Sequence, residues 1–245
     1  MKILLVDIGN TTADFRIWSK EDNTLTKIIR PETKDNQWRR STVLSKHFKD
    51  NKIDFDKISY VSVVPEWNDI MRAFASNMNV EITNLRSDFN IEKDLFKVDD
   101  INKLGADFIS NYYGVRDNYD IENGAIVSMG TASTIAIIEN REFKGAIICP
   151  GLKNALNCLI SSAVLLQNNS YEKSDKKYGT NTVDAINIGS FNAHYTMLSS
   201  MIRKLGFDSA VFTGGNSIDF KEDIKNDGFI FDEELIFKGL IKFNK

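Results

Sequence analysis

A strand that runs into a glycine turn and back out again occurs twice in this chain, 121 residues apart. That repetition restricts the folds open to its 245 residues more than any other feature. Lys2–Val6 is a short apolar run rich in branched residues, the pattern of a buried strand. Asp7-Ile8-Gly9-Asn10-Thr11-Thr12 stops it with turn chemistry. Ala13, Phe15 and Ile17 then alternate with Asp14, Arg16 and Trp18, which completes a β-hairpin. Gly9 permits a positive φ or a close backbone approach, and Asn10 tolerates the same conformations. Such a tip can wrap phosphate oxygens with N–H groups while Asp7 reaches a metal ion or its waters. Taken alone it reads equally as an ordinary hairpin turn.

The second copy shifts that balance. Gly124–Met129 is again an apolar strand, Gly130-Thr131-Ala132-Ser133-Thr134 a turn, and Ile135–Glu139 an alternating strand. Aligning Gly9 with Gly130 superposes Asp7-x-Gly-Asn-Thr on Ser128-x-Gly-Thr-Ala. A third turn, Thr213-Gly214-Gly215-Asn216, follows the apolar Ala210–Phe212. Two such units suggest a duplicated domain that grips one ligand between its halves. The expected halves are residues 1–116 and 117–245.

Composition is compatible with this. A 42% hydrophobic content can build real cores, while a formal charge of −3 and a pI near 5.5 leave no electrostatic footprint for nucleic acid. No apolar run approaches the ~20 residues of a membrane span, and Asp7 interrupts the initial Ile-Leu-Leu-Val too early for a signal-peptide core. Cys149 and Cys158 lack metal spacing and read as reduced, partly buried thiols, which points to a cytoplasmic protein.

Between the turns, the pattern predicts strands over Thr24–Arg30, Ile58–Val64 and Asn79–Thr83, and helices over Asp35–Asp50 and from Trp67 to Met78. Asn84–Asn102 is a polar connection long enough to cover a site. Leu104–Tyr119 reads as a helix with Gly105 and Asp107 at its start, where an aspartate is favourable against the dipole with or without a catalytic task. Arg141–Cys149 is a strand. Leu152–Gln167 is a helix with a broad apolar surface that includes Ala163, and the lysine-rich Asn168–Thr180 is a loop. Thr182–Leu205 is a long helix with Thr182 as a possible N-cap. Ser209–Phe212 and Phe229–Phe231 are late strands, and Asp232–Asn244 is a closing helix capped by Asp232. His47 and His194 read as packing residues.

The set Asp7–Thr11 (DIGNT), Ser62–Pro65 (SVVP), Leu104–Asp107 (LGAD), Met129–Thr134 (MGTAST), Gly145–Leu152 (GAIICPGL), Asn181–Gly189 (NTVDAINIG) and Thr213–Asn216 (TGGN) resembles type III pantothenate kinases. These belong to the actin/hexokinase/heat-shock ATPase superfamily, and the resemblance covers nearly the whole length. It implies an α/β protein of two duplicated actin-like (ribonuclease H-like) domains with ATP in an interdomain cleft. It also implies Mg²⁺ at Asp7, with phosphates at Gly9, Asn10, Thr11, Thr12, Gly130 and Thr131. The nucleoside would lie at Gly214 and Gly215, and pantothenate at Gly105, Ala106, Asp107, Phe108 and Thr182. Asp107 is the implied general base, the helix after Pro150 helps form a homodimer, and a monovalent cation (potassium or ammonium) sits at position 128.

Three departures stand out. Phe108 replaces an arginine, Ser128 replaces the aspartate that would hold the cation, and Val98–Leu104 lacks the family's tyrosine. The expected activity is ATP-dependent phosphorylation of pantothenate, with no nucleic-acid or membrane partner. The alternatives are a kinase of the same fold with another acceptor, or a non-catalytic nucleotide-binding relative.

Overall fold

The computed structural model describes residues 1–162, 164–166 and 169–245. The chain divides into two compact units. Unit 1 comprises Met1–Lys93, Asp100–Tyr119 and Glu234–Lys245; unit 2 comprises Asp94–Asp99 and Asp120–Glu233. The chain passes between the units after Lys93, Asp99, Tyr119 and Glu233.

In unit 1, β1 (Lys2–Ile8), β2 (Ala13–Ser19) and β3 (Thr24–Ile29) form an antiparallel meander. After α1 (Ser41–Asp50), β4 (Lys57–Ser62) lies parallel to β1; after α2 (Glu66–Met78), β5 (Glu81–Asn84) lies parallel to β4. The sheet order is β3-β2-β1-β4-β5. The two-residue period of β1 sends Leu4, Val6 and Ile8 into one core with Phe15, Phe48, Trp67 and Phe74. Ile3 and Leu5 lie on the opposite face and are also fully buried. Asp7 shares that second face. The polar connection after β5 carries a short helix, α3 (Leu85–Asp88), before α4 (Ala106–Asn118).

Unit 2 repeats the plan. β6 (Gly124–Met129), β7 (Ala132–Glu139) and β8 (Glu142–Pro150) are antiparallel. After α5 (Leu152–Ser161) and α6 (Thr182–Lys204), β9 (Ala210–Thr213) lies parallel to β6. After α7 (Lys221–Asn226), β10 (Ile230–Phe231) lies parallel to β9. The order β8-β7-β6-β9-β10 matches unit 1 strand for strand. Val127, Ile135, Leu198, Phe212 and Phe220 anchor its core.

The closing helix α8 (Leu235–Lys242) packs in unit 1 against α4. The approach is close because two contact positions are glycines: a Cβ on Gly239 would overlap the Ser110 carbonyl, and one on Gly114 the Leu235 carbonyl. Ser110 Oγ donates to Ile236 O at 2.7 Å, tying the helices at the same point.

Several boundaries differ from expectation. The helix expected from Asp35 starts at Ser41, because Gln37 N–H donates to Asp35 Oδ1 at 2.8 Å in a competing turn. The closing helix starts at Leu235, because Asp232 N–H donates to Phe212 O at 2.9 Å and extends the β10–β9 pairing. Asn181, not Thr182, caps α6, its Oδ1 accepting from Asp184 N–H at 2.9 Å. The helix expected over Leu152–Gln167 ends at Ser161 and is followed by a 3₁₀ turn at Val164–Leu166. Ala163, Gln167 and Asn168, the head of the expected loop, lie outside the described residues. Cys158 is exposed rather than partly buried.

The α4–α8 contact is open to direct measurement. Gly239→Ala is expected to lower stability by about 1–3 kcal/mol through overpacking, although alanine is the better helix former. A urea midpoint equal to or above wild type would show that the two helices separate without penalty.

Candidate active site

The first glycine turn is held from behind by the segment after β3. Ala13 N–H donates to Pro31 O at 2.9 Å, Thr33 N–H to Thr11 O at 2.8 Å, and the buried Thr33 Oγ1 to Gly9 O at 2.8 Å. Trp67 Nε1 fixes Thr33 in turn through its carbonyl, at 3.1 Å. In a trans peptide the C=O and N–H point in opposite directions. Capturing the Gly9 and Thr11 carbonyls therefore turns the Asn10 and Thr12 N–H groups the other way, where an anion can meet them.

Gly9 does not adopt a positive φ, contrary to one of the two reasons expected for it. A Cβ there would find only ordinary contact with Thr12 O at 3.5 Å. Among the described residues nothing at this position demands glycine, and the space in front of it is open.

Strand register sets the acidic groups. Asp7 lies opposite Asp14 on β2, and the face they share is the one covered by α8. Arg16, two residues on, is buried there too. It pairs with Asp14 at 3.1 Å and Glu234 at 3.0 Å, and its guanidinium stacks 4.5 Å over the Phe237 ring of α8. Asp107 stands at the start of α4, on the same face. A Cβ on Gly105, the N-cap, would displace the Asp107 carboxylate from its place. Phe108 lies half-buried with its ring against Gly105.

Both carboxylates are perturbed. Asp7 is pushed up to about 7, first by burial and then by the charges of Asp107 and Asp14, while Arg30 and Arg16 pull it back. Asp107 is raised by burial, against the backbone N–H groups of Phe108 and of Asp107 itself and the more distant Arg86. Sequence reasoning missed Arg86. It donates to the carbonyls of Ile101, Asn102 and Leu104, and so secures the loop that leads into α4.

The donor chemistry suits a hard cation. Mg²⁺ is held through one or two carboxylates, with phosphate oxygens and water completing its shell. The charged form of Asp7 is costly where it stands, and a cation relieves that cost. Among the described residues no group of three or more His, Cys, Asp or Glu side chains could hold an ion.

In unit 2 the turn is one residue shorter, with Met129 opposite Ser133 where Ile8 lies opposite Ala13. Its carbonyls are captured in the same way: Asn216 Nδ2 donates to Gly130 O at 3.0 Å, and Gly151 N–H and Asn154 Nδ2 donate to Thr131 O at 3.2 and 2.8 Å. The first of these turns the Thr131 N–H outward. Gly130 again has no positive φ and no crowded Cβ position. Gly214 differs: its φ is +91°, and a Cβ would sit 2.7 Å from the Met129 backbone, so glycine is needed for the fold itself. Ser128 occupies the register position of Asp7, opposite Thr134 and Thr213, which carry hydroxyls and no charge. Thr182 is exposed in the first turn of α6. The buried His194 shares a hydrogen bond of 2.9 Å with Ser133 Oγ and serves packing.

The Asp7 environment carries a sign. The folded chain keeps a proton that the unfolded chain releases near its ordinary value of 3.8. Between about pH 4 and about pH 7 the folded state therefore binds more protons, and stability falls as pH rises. Without Mg²⁺ and nucleotide, Asp7→Asn is expected to be more stable than wild type at about pH 8, the gap closing toward about pH 4. A gap of equal size at both ends, in thermal melts, would remove the buried Asp7 charge as its cause.

Residues 3–204 match the family model Pan_kinase, type III pantothenate kinase. The type III pantothenate kinase of Sulfurihydrogenibium sp. (strain YO3AOP1) is 27% identical, covering 99% of each chain. That of Kosmotoga olearia is 29% identical over 98% of this chain and 94% of its own. That of Borrelia hermsii is 30% identical over 87% and 83%. Among solved structures, one from Campylobacter jejuni described as a Baf family transcriptional activator is 24% identical, with a TM-score of 0.59 over 98% of this chain and 96% of its own. The Acidaminococcus fermentans (R)-2-hydroxyglutaryl-CoA dehydratase component A is 9% identical, with a TM-score of 0.57 over 99% and 96%. At these identities the likeness is one of fold. With the matching strand orders it gives two duplicated actin-like, ribonuclease H-like α/β domains.

Proposed function

Because the chain belongs to the type III pantothenate kinase family, we propose that it transfers the γ-phosphoryl group of ATP to pantothenate. The products are 4′-phosphopantothenate and ADP, and the reaction is the first step of coenzyme A biosynthesis. The observation that carries the reading is the family match over residues 3–204. The pairing of Asp7 with Asp107 in unit 1 supports it chemically, since two acidic groups near one another with raised pKa values are what a proton-accepting, cation-holding site needs.

Phosphoryl transfer needs alignment and charge neutralisation more than covalent chemistry. The turns at Gly9, Asn10, Thr11 and Thr12 and at Gly130 and Thr131 offer N–H and hydroxyl donors to the phosphates, and Gly214 and Gly215 leave room for the nucleoside. Asp7 would hold Mg²⁺, directly or through water, and the bound ion would supply neutralisation of phosphate charge. Asp107 accepts the proton of the primary hydroxyl as that oxygen attacks phosphorus. Gly105, Ala106, Phe108 and Thr182 border pantothenate, and Phe108 offers no guanidinium to its carboxylate. Two copies pair in the active protein; the exposed Ile148 and Leu159 of β8 and α5 supply apolar surface for that. The working place is the cytoplasm, and no helix among the described residues is long and apolar enough to cross a membrane.

The test is a coupled assay for ADP, with and without pantothenate, on wild type and Asp107→Asn. Wild type should turn over only with pantothenate. The variant should keep its fold and lose about 10²–10⁴ in rate. Turnover with a different alcohol, or none with any, would replace the reading, and near-normal kcat in Asp107→Asn would remove that residue from the mechanism.

Ser128 makes a separate claim. A hydroxyl supplies one oxygen and no charge, so activation by potassium or ammonium should be weak or saturate only at high concentration. Ser128→Asp should restore it. Strong potassium activation of the unmutated enzyme would defeat this.

A further inference from the structure

We propose that Arg30 is a phosphate-binding residue, its guanidinium lying beside the Gly9–Thr12 turn to meet the phosphate chain of ATP. This rests on the reading of that turn as an ATP site. Arg30 stands where the chain leaves β3, and the backbone just beyond it is laced to the turn: Pro31 O accepts from Ala13 N–H at 2.9 Å, and Thr33 N–H donates to Thr11 O at 2.8 Å. Pro31 stiffens the segment by fixing its own φ. The side chain is aimed as well. Arg30 Nε donates to Thr12 Oγ1 at 3.2 Å and lies 3.9 Å from Asp14 Oδ2. Among the described residues, Nε is the only guanidinium nitrogen of Arg30 with a hydrogen bond. The four N–H donors on the two Nη nitrogens remain for a ligand, on a side chain 37% exposed.

Charge gives the reason. Asp7, Asp14 and Asp107 crowd this part of unit 1, and a nucleotide polyphosphate approaching the turn meets their repulsion. Arg16 is committed to Asp14, Glu234 and the Phe237 ring. Arg30 is the cation beside the turn with donors to spare, and a guanidinium can take two phosphate oxygens at once.

Isothermal titration of wild type, Arg30→Gln and Arg30→Lys with MgATP, adenosine and pantothenate tests this, with thermal melts alongside. Arg30→Gln should raise the MgATP Kd about 10- to 100-fold, as expected for loss of a charge-assisted contact. It should leave adenosine and pantothenate binding and the melting temperature unchanged, and Arg30→Lys should recover part of the loss. MgATP affinity equal to wild type in Arg30→Gln would overturn the proposal. So would an equal loss for adenosine, or a fall in melting temperature matching the loss, since either makes Arg30 a structural brace. Gly9→Val separates the levels: if it binds MgATP as wild type does, the turn is no phosphate site and the parent reading fails, whatever Arg30 does.

Discussion

A strand packed on both faces leaves a charged residue little access to water, and the unit 1 site follows from that constraint on β1. Leu4, Val6 and Ile8 are committed to the aromatic core, so the two-residue period commits Asp7 to the face beneath α4 and α8. A one-residue slip would send the carboxylate into Phe15 and Trp67 and expel three apolar side chains, so the register is not negotiable. The neighbouring strand answers with Asp14 and Arg16, and α8 answers with Glu234 and Phe237. The half-buried charge thus lies in a partly compensated surround, without, among the described residues, a direct ion pair to Asp7 itself. The residual cost appears as the upward pull on its pKa.

Both glycine turns show the same division of labour. The scaffold takes hold of carbonyl oxygens, and the opposing amides are left facing away from it. Different residues achieve this in the two units: a threonine clamped by a tryptophan in one, two asparagines and a glycine amide in the other. The shared geometry with unshared means argues that the direction of the amides is what matters. Gly9 and Gly130 fit the same view, because the fold itself tolerates a side chain at both.

The duplication was legible in the sequence, because strand–turn–strand units announce themselves through period and glycine, and the strands fell close to their expected bounds. Asp7, Gly105 and Asp107 are candidates that family motifs single out, and the structure gathers them in unit 1. Arg30, Thr33 and Arg86 were not legible: each acts on a turn or loop distant in sequence, and nothing local marks an arginine that will reach a carbonyl more than a dozen residues away. Boundary errors arose where a polar residue had two uses. Asp35 and Asp232 could each have started a helix, and each is taken up in a turn or a strand pairing instead.

Unit 1 is discontinuous, and the helix that seals it is the last element of the chain. During synthesis the sheet of unit 1 emerges first, yet the face carrying Ile3, Leu5 and Asp7 has no α8 to cover it until nearly all of unit 2 has been made. The middle of the chain can therefore settle while the beginning waits. The acidic face acquires its low-dielectric surroundings only when α8 closes on α4, an approach that two glycines permit.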